Sequence, residues 1–275
     1  QRLGVRLHWR QVPFLRSLGD AGVEQVVFAG AVSRPRLDPS LFDPATAQMV
    51  PRLLAAMQAG DDATLREVIA LFAEAMDRVE ALTGDSFATS FDWRAFDRVI
   101  DVGGSNGSKS MTILKHHPHL KALVVDRAGT IAAAQTFWRA QPHSAALTER
   151  LSRTVFEAGD VFGALPVATG GREAYLMSAV LHGFDDTMAE RALRNVAAAA
   201  RPGEASIVLL EMVMPDHHAD IGAASFDMQM FMGTPGRERT RAEWDTLFER
   251  SSVRLVETVH LPSFGKMMVL QPLPG

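Results

Sequence analysis

The chain has 275 residues, no cysteine, and 28 basic against 32 acidic side chains for a net charge of −4, which excludes disulfide frameworks, zinc–thiolate sites and cysteine nucleophiles and argues against nonspecific nucleic-acid binding. Its 47% hydrophobic content suits a large core that hides about 70% of the extended chain's surface, and no run of about 18 apolar residues is present for a membrane span. A cytoplasmic setting is therefore expected, and a first residue Gln1 with neither starting Met nor apolar leader suggests a processed, trimmed or partial chain.

In chain order, Val23–Gly30 is an apolar run ending in glycine, as in a short buried strand. Ser33–Pro44 carries three prolines and is expected to be loop. Ala45–Ala59 has a helical pattern that Gly60 breaks, and Asp61 and Asp62 can cap the next helix. Leu65, Val68, Ile69, Phe72, Met76, Val79 and Leu82 then recur at helical spacing up to Gly84. From residue 97 onward strands and helices alternate. The predicted strands are Arg98–Val102, Ala122–Val125, Arg153–Phe156, Glu173–Ser178, Ser206–Met212, Leu255–His260 and Met267–Gln271. The predicted helices are Ser108–His116, Thr130–Trp138, Asp186–Ala200, Ile221–Phe231 and Arg241–Glu249. This order makes βαβ units and a parallel sheet, closed by an antiparallel hairpin at one edge. The expected organisation is an N-terminal segment over 1–60, a helical connector over 61–96 and an α/β domain over 97–275.

The sharpest motif is the apolar strand from Arg98 that runs into Gly103-Gly-Ser-Asn-Gly107 and then a helix. Glycines let the backbone turn tightly and approach a ligand closely. Of the three glycines that a dinucleotide fingerprint needs, only Gly103 is present, since Ser105 and Ser108 hold the other two positions. The turn fits better as Asp-x-Gly-x-Gly-x-Gly, with Asp101, Gly103 and Gly107 in place and Ser105 replacing the middle glycine. That pattern suits an adenosyl ligand with an amino-acid end. Asp126, at the end of the second strand, can accept both hydroxyls of a ribose. Asp160 and Val161, after the third, can flank the edge and face of an adenine. Three acids after three successive strands outweigh the competing reading of ordinary helix-capping turns.

With these pieces in order, residues from about 70 to 275 resemble the S-adenosylmethionine-dependent O-methyltransferases of the plant caffeate and bacterial polyketide-tailoring type. The matching stretches are VIDVGGSNG, LVVDR, EAGDVF, AVLHGFDD, ARPGEASIVLLEMVMP and GTPGRERTRAEWDTLF. The resemblance implies a Rossmann-like α/β sheet with helices on both faces and an antiparallel edge hairpin, beside a small α/β N-terminal segment. It implies S-adenosylmethionine as cofactor, S-adenosylhomocysteine as its product, and no metal. It carries His182 over as general base, with Glu211, just after Ser206–Leu210, and Glu238 as acids that orient it. A carboxylate on the far ring nitrogen fixes the tautomer and stabilises the imidazolium. The competing reading of Glu238 is an ion pair with Arg237 or Arg239. Cofactor contacts are implied for Asp101, Gly103, Gly104, Ser105, Gly107, Asp126, Arg127, Asp160, Val161 and Ser178. Acceptor contacts are implied for Phe184, Asp227, Met228, Phe231 and Met232, in a soft pocket for a small aromatic molecule. A homodimer is also expected, with no nucleic-acid or membrane partner.

The chain departs from the family pattern at Ser105, at Gly183 and Phe184 where Asp and Trp are usual, and at Ser178 where many plant members have Lys. The front departs more. Instead of a winged-helix dimerisation domain, residues 1 to about 69 resemble an internal stretch of the UDP-diacylglucosamine pyrophosphatase of lipid A synthesis, through FAGAVSRPRLDPSLF and VPRLLAAMQAGDDATLREVIALF. This points to a fusion or chimera. Two alternatives to a methyltransferase follow, a catalytically silent cofactor-binding module and a UDP-sugar lipid pyrophosphatase. The clusters His116, His117, His119 and His217-His218 read as surface turns rather than metal ligands.

Overall fold

The computed structural model describes residues 44–60, 84–142, 144–216, 227, 230, 234–262 and 265–274. The predicted strand Val23–Gly30 and the helix from Asp61 to Leu82 lie outside them, as does His217-His218. So does the predicted helix Ile221–Phe231, except at Asp227 and Met230. The chain divides into two compact units, Gln1–Pro51 and Arg52–Gly275. Helix α1 is Pro44–Gln58. Pro44, expected in loop, opens this helix, where its fixed φ and missing N–H cost nothing.

After α1 the described elements are the short helix α2 (Ser86–Thr89), then β1 (Arg98–Val102), α3 (Ser108–His116), β2 (Lys121–Asp126), α4 (Ala128–Ala140), α5 (Ala145–Ser152) and β3 (Thr154–Ala158). The order goes on through β4 (Glu173–Ser178), α6 (Asp186–Ala200), β5 (Ala205–Met214), β6 (Arg239–Thr240), α7 (Arg241–Arg250), β7 (Val253–His260) and β8 (Gly265–Pro272). The strands order as β3-β2-β1-β4-β5-β8-β7, with the two-residue β6 alongside the end of β5. β1 to β5 pair in parallel, and β8 runs antiparallel to both β5 and β7. This is the expected sheet with its antiparallel edge hairpin.

Successive side chains of each strand serve opposite faces, and each face has its own core. Ile100, Val102, Tyr175, Met177, Ile207 and Leu209 pack with Ala189, Leu193 and Val196 of α6 and with Trp244 and Phe248 of α7. Val99, Ala174, Leu176, Val208 and Leu210 pack with Met111, Ile113 and Leu114 of α3 and with Phe87, Phe91, Trp93 and Phe96. Each fully buried large apolar side chain contributes about 1.5–3 kcal/mol. Two buried faces therefore fix the strand register, because a one-residue slip would exchange the two cores. Tyr175 is buried on one of them with its hydroxyl donating to the Pro166 carbonyl at 2.6 Å, and burial pushes its pKa up to about 12.

The histidines around Pro118 tie the α2 region to the end of α3. Nε2 of His116, His117 and His119 lies 2.8, 2.7 and 3.1 Å from the Asp85 carboxylate, the Ala88 carbonyl and the Phe96 carbonyl respectively. Each ring has a different protein partner, as befits a surface turn.

Candidate active site

Parallel strands β1, β2 and β4 end side by side, so the turns that follow them meet at one edge of the sheet. The glycine turn is built by backbone conformation. Gly103 and Gly107 have φ of 76° and 79°, in the left-handed region that glycine enters without strain. Ser105 lies there too, at φ 52°, and is exposed. The turn leaves no space for side chains at Gly103 and at Gly104. A Cβ on Gly104 would sit 2.6 Å from the Asp101 carboxyl carbon, and one on Gly103 would sit 2.8 Å from Val180 Cγ2. The second contact brings the glycine turn against the segment that carries His182.

Asp101 is 1% exposed and accepts the Ser110 hydroxyl at 2.7 Å, so it braces the turn from beneath. Asp126 is half-buried and oriented by two backbone donors, the N–H of Ser105 at 2.9 Å and its neighbour Arg127 at 2.7 Å. Asp160 accepts the Phe162 N–H at 2.9 Å, which shapes the loop after β3. Asn195 of α6 holds that loop from behind, donating to the carbonyls of Val161 and Gly163, each at 2.7 Å.

After Ser178 the chain leaves β4 through Ala179, whose φ of 52° is unusual for a residue with a side chain. A single helical turn, Leu181–Gly183, then presents His182. His182 Nδ1 lies 2.8 Å from Glu238 Oε1 and 4.0 Å from Glu211 Oε2. The imidazole is 18% exposed while both carboxyl groups are almost fully buried. β5 runs from Ala205 to Met214, beyond both ends of the predicted Ser206–Met212, so Glu211 lies inside the strand rather than just after its apolar stretch. Its Oε1 accepts the N–H groups of Val180 and Leu181 at 3.0 and 2.9 Å. The two acids thus differ: Glu238 engages the ring, and Glu211 anchors the backbone beneath it. Oε2 of each is buried with no hydrogen-bond partner among the described residues.

Burial works against a charge on His182, but Glu211 and the hydrogen-bonded Glu238 outweigh it, and the imidazole titrates above its ordinary 6.5. Burial raises the Glu211 carboxyl, with the nearby Glu238 adding to that effect, while His182 and the two backbone donors oppose it. With Nδ1–H donating to Glu238, a neutral ring carries its lone pair on Nε2, and two carboxyl groups stand ready to stabilise the imidazolium. His182, Glu211 and Glu238 also form a donor set with ligand atoms within 4.8 Å of one another. In this structure Nδ1 and one oxygen of each carboxyl group are already engaged within the protein.

Neither neighbouring arginine pairs with Glu238. Arg237 reaches Asp186 and Glu243 at 2.9 and 3.0 Å, and Arg239 reaches Asp186 at 2.9 Å. Phe184 is partly buried against Phe162, with ring centroids 5.1 Å apart. Asp227 is partly buried and accepts the Glu238 N–H at 2.9 Å, which ties it to the partner of His182. Met228, Phe231 and Met232 lie outside the described residues. Asn195, Gly236 and Arg239 also bear on the site, although none was a predicted site residue and Arg239 entered only as a competing ion-pair partner for Glu238. Asn195 had no motif to mark it. The other two stand in the GRERT stretch beside Glu238, where spacing alone gives no hint of backbone contacts.

Residues 56–253, more than half of the chain, match the model of the O-methyltransferase domain. The chain belongs to the O-methyltransferase domain family. The match runs from α1 to the start of β7 and takes in both turns of the site. Residues 8–83 match a second model, the LpxI N-terminal domain, in line with the resemblance read from the front. Among the curated relatives of this methyltransferase family member is a 2,7-dihydroxy-5-methyl-1-naphthoate 7-O-methyltransferase of Streptomyces carzinostaticus, 34% identical over 186 residues, or 66% of this chain and 52% of that protein. Another, the O-methyltransferase SfmM3 of Streptomyces lavendulae, is 29% identical over 204 residues, 72% of this chain and 58% of that protein. The chain spans about half the length of these relatives. The fold is also similar, with TM-score 0.63 and 26% identity over 78% of this chain and 59% of the other, to an O-methyltransferase from neocarzinostatin biosynthesis solved with S-adenosylmethionine and 2-hydroxy-5-methyl naphthoic acid. No helix among the described residues is long and apolar enough to cross a membrane.

Proposed function

We propose that this chain is an S-adenosylmethionine-dependent O-methyltransferase acting on a phenolic or enolic hydroxyl of a small aromatic molecule, with His182 as general base. The observation that carries this reading is the contact between the glycine turn and the histidine turn, at Gly103 and Val180, with His182 held by a buried glutamate at 2.8 Å. The naphthoate substrates named for the relatives support a flat hydroxylated acceptor.

The residues present fit the cofactor. The turn Gly103–Gly107 offers a close backbone approach. Asp126 is fixed by two N–H donors with acceptor capacity to spare for a ribose diol, and Asp160 and Val161 follow at the next strand end. Arg127 and Ser178 border the same edge, and Asp101 supports it from below. When bound, S-adenosylmethionine supplies an electrophilic methyl group, which forms a bond to the acceptor oxygen as its bond to sulfur breaks and S-adenosylhomocysteine leaves. His182 takes the hydroxyl proton at Nε2. A phenol titrates near 10, so a neutral imidazole makes its oxygen a competent nucleophile as the proton leaves. Glu238 holds the tautomer and stabilises the imidazolium that forms. Alignment contributes several kcal/mol and proton removal about 10²- to 10⁴-fold.

The front segment, over 1–60, has no catalytic role in this reading, the domain over 97–275 carries the site, and 61–96 connects them. The named catalytic and cofactor residues all fall between Asp101 and Glu238. Calorimetry of the intact chain with S-adenosylmethionine, followed by a methyl-transfer screen over hydroxynaphthoates and simpler phenols, tests the proposal. Binding together with transfer supports it. Binding without transfer to any acceptor favours the silent module. Hydrolysis of a UDP-sugar lipid, lost when residues 1–60 are removed, overturns the assignment of the front.

A further inference from the structure

The turn bearing His182 is gripped by a second residue of the segment that supplies Glu238. Arg239 is fully buried. Its guanidinium donates from Nη1 to the Leu181 carbonyl at 2.9 Å, from Nη2 to the Phe184 carbonyl at 2.8 Å, and from Nε to Asp186 Oδ1 at 3.0 Å. The two carbonyls bracket His182 in sequence, one residue before it and two after. The guanidinium also lies over the Trp244 ring, 5.4 Å from its centroid, which limits the orientations of the fork. Three residues earlier in this segment, Gly236 packs so closely that an added Cβ would overlap the His182 carbonyl oxygen and fall 2.6 Å from both Gly183 C and Phe184 N.

We infer that Arg239 is a positioning residue for the base: Glu238 fixes the imidazole while the adjacent Arg239 fixes the backbone from which that imidazole projects. The inference rests on the methyltransferase reading and deepens it. A planar guanidinium suits this task, because one rigid fork can serve two carbonyls and a carboxylate, whereas an ammonium is a compact point charge on a flexible stem. β6 pairing at Val213 and Met214 sets the height of the segment, so residues 238 and 239 arrive together. A small misplacement of a reacting group can cost about 10²-fold in rate, so a looser turn should appear in the chemical step and not in cofactor binding.

The test compares R239K and R239Q with the control R237K, an exposed neighbour whose guanidinium pairs with the Asp186 and Glu243 carboxylates rather than with the turn carbonyls. Three quantities are measured in the full chain: affinity for S-adenosylmethionine, kcat at saturating acceptor, and the His182 ring titration by NMR, assigned by its loss in H182Q. R239K is expected to keep cofactor affinity within about threefold, to lose roughly tenfold in kcat, and to return the ring titration toward the ordinary imidazole value as the Glu238 contact loosens. R239Q should lose more, and R237K should match the parent. Should R239Q not fold, R239K decides alone. Parent-like kcat and ring titration in R239K would overturn the inference, as would a loss of cofactor affinity in step with kcat. If the parent itself transfers no methyl group, the functional reading has failed, and the ring titration of R239K still decides whether Arg239 sets the histidine.

Discussion

The glycine turn and the histidine turn touch at Gly103 and Val180, yet they are built in opposite ways. The first is local: β1, five residues and a helix make it, and its conformation comes from glycines at positive φ. The second is assembled from three places in the chain, with His182 after β4, Glu211 within β5, and Glu238 and Arg239 at β6. A local turn tolerates single changes that respect its backbone, while an assembled one depends on each buried partner. Removing one partner there strands another in a dry environment, where an unmet charge or acceptor is costly.

The largest expected effect is at the assembled turn. H182Q should lower methyl transfer by about 10²-fold or more while S-adenosylmethionine still binds, as read by steady-state rates beside calorimetry. Parent-like transfer would make His182 structural and dissolve the contrast. At the local turn, D126A removes a charged acceptor and should weaken cofactor affinity by roughly 1–3 kcal/mol, about 5- to 150-fold, with kcat at saturating cofactor nearly unchanged. Unaltered affinity would put the ribose elsewhere.

Next in size is G236A, whose Cβ would drive into the backbone of His182–Phe184. A cost of about 1–3 kcal/mol in stability is expected, together with reduced kcat, checked by thermal unfolding and rates. A variant of parent stability would mean that the assembled turn yields more easily than its packing implies. The smallest effect should come from S105G. Glycine relieves the strain of Ser105 at φ 52° but adds freedom to the unfolded chain, and the two nearly cancel. A shift in Tm of only a few degrees is expected, with cofactor affinity within about threefold. A large loss of affinity would give the Ser105 side chain a role of its own in the cleft.

The same contrast explains what the sequence disclosed. The alternation of apolar runs and helical stripes located β1, β4, α3 and α6 to the residue, because buried parallel strands and amphipathic helices follow strict periodicities. The glycine turn was visible because its chemistry is written in adjacent residues. α5, eight residues long, went unrecognised, being too short and polar to show a stripe. β6 was missed because two residues carry no period. The acids around His182 came from the family resemblance rather than from spacing, and their division of labour could not be read at all. Which oxygen accepts which N–H is settled by tertiary packing, as is the fact that Arg239 turns toward two carbonyls and away from Glu238.

The proposed general-base role depends on the protonation state of His182, so the decisive measurement is the pH dependence of kcat/KM for methyl transfer by the parent and by E238Q. The base works only when neutral, and Glu211 and Glu238 stabilise its charged form, so activity should fall as pH drops through a value above 6.5. In E238Q one of those charges is gone while burial still opposes protonation, so the acid limb should move to lower pH and the maximal rate should fall. An acid limb that is absent, or that stays at the same pH in both proteins, would contradict a His182 base held by Glu238.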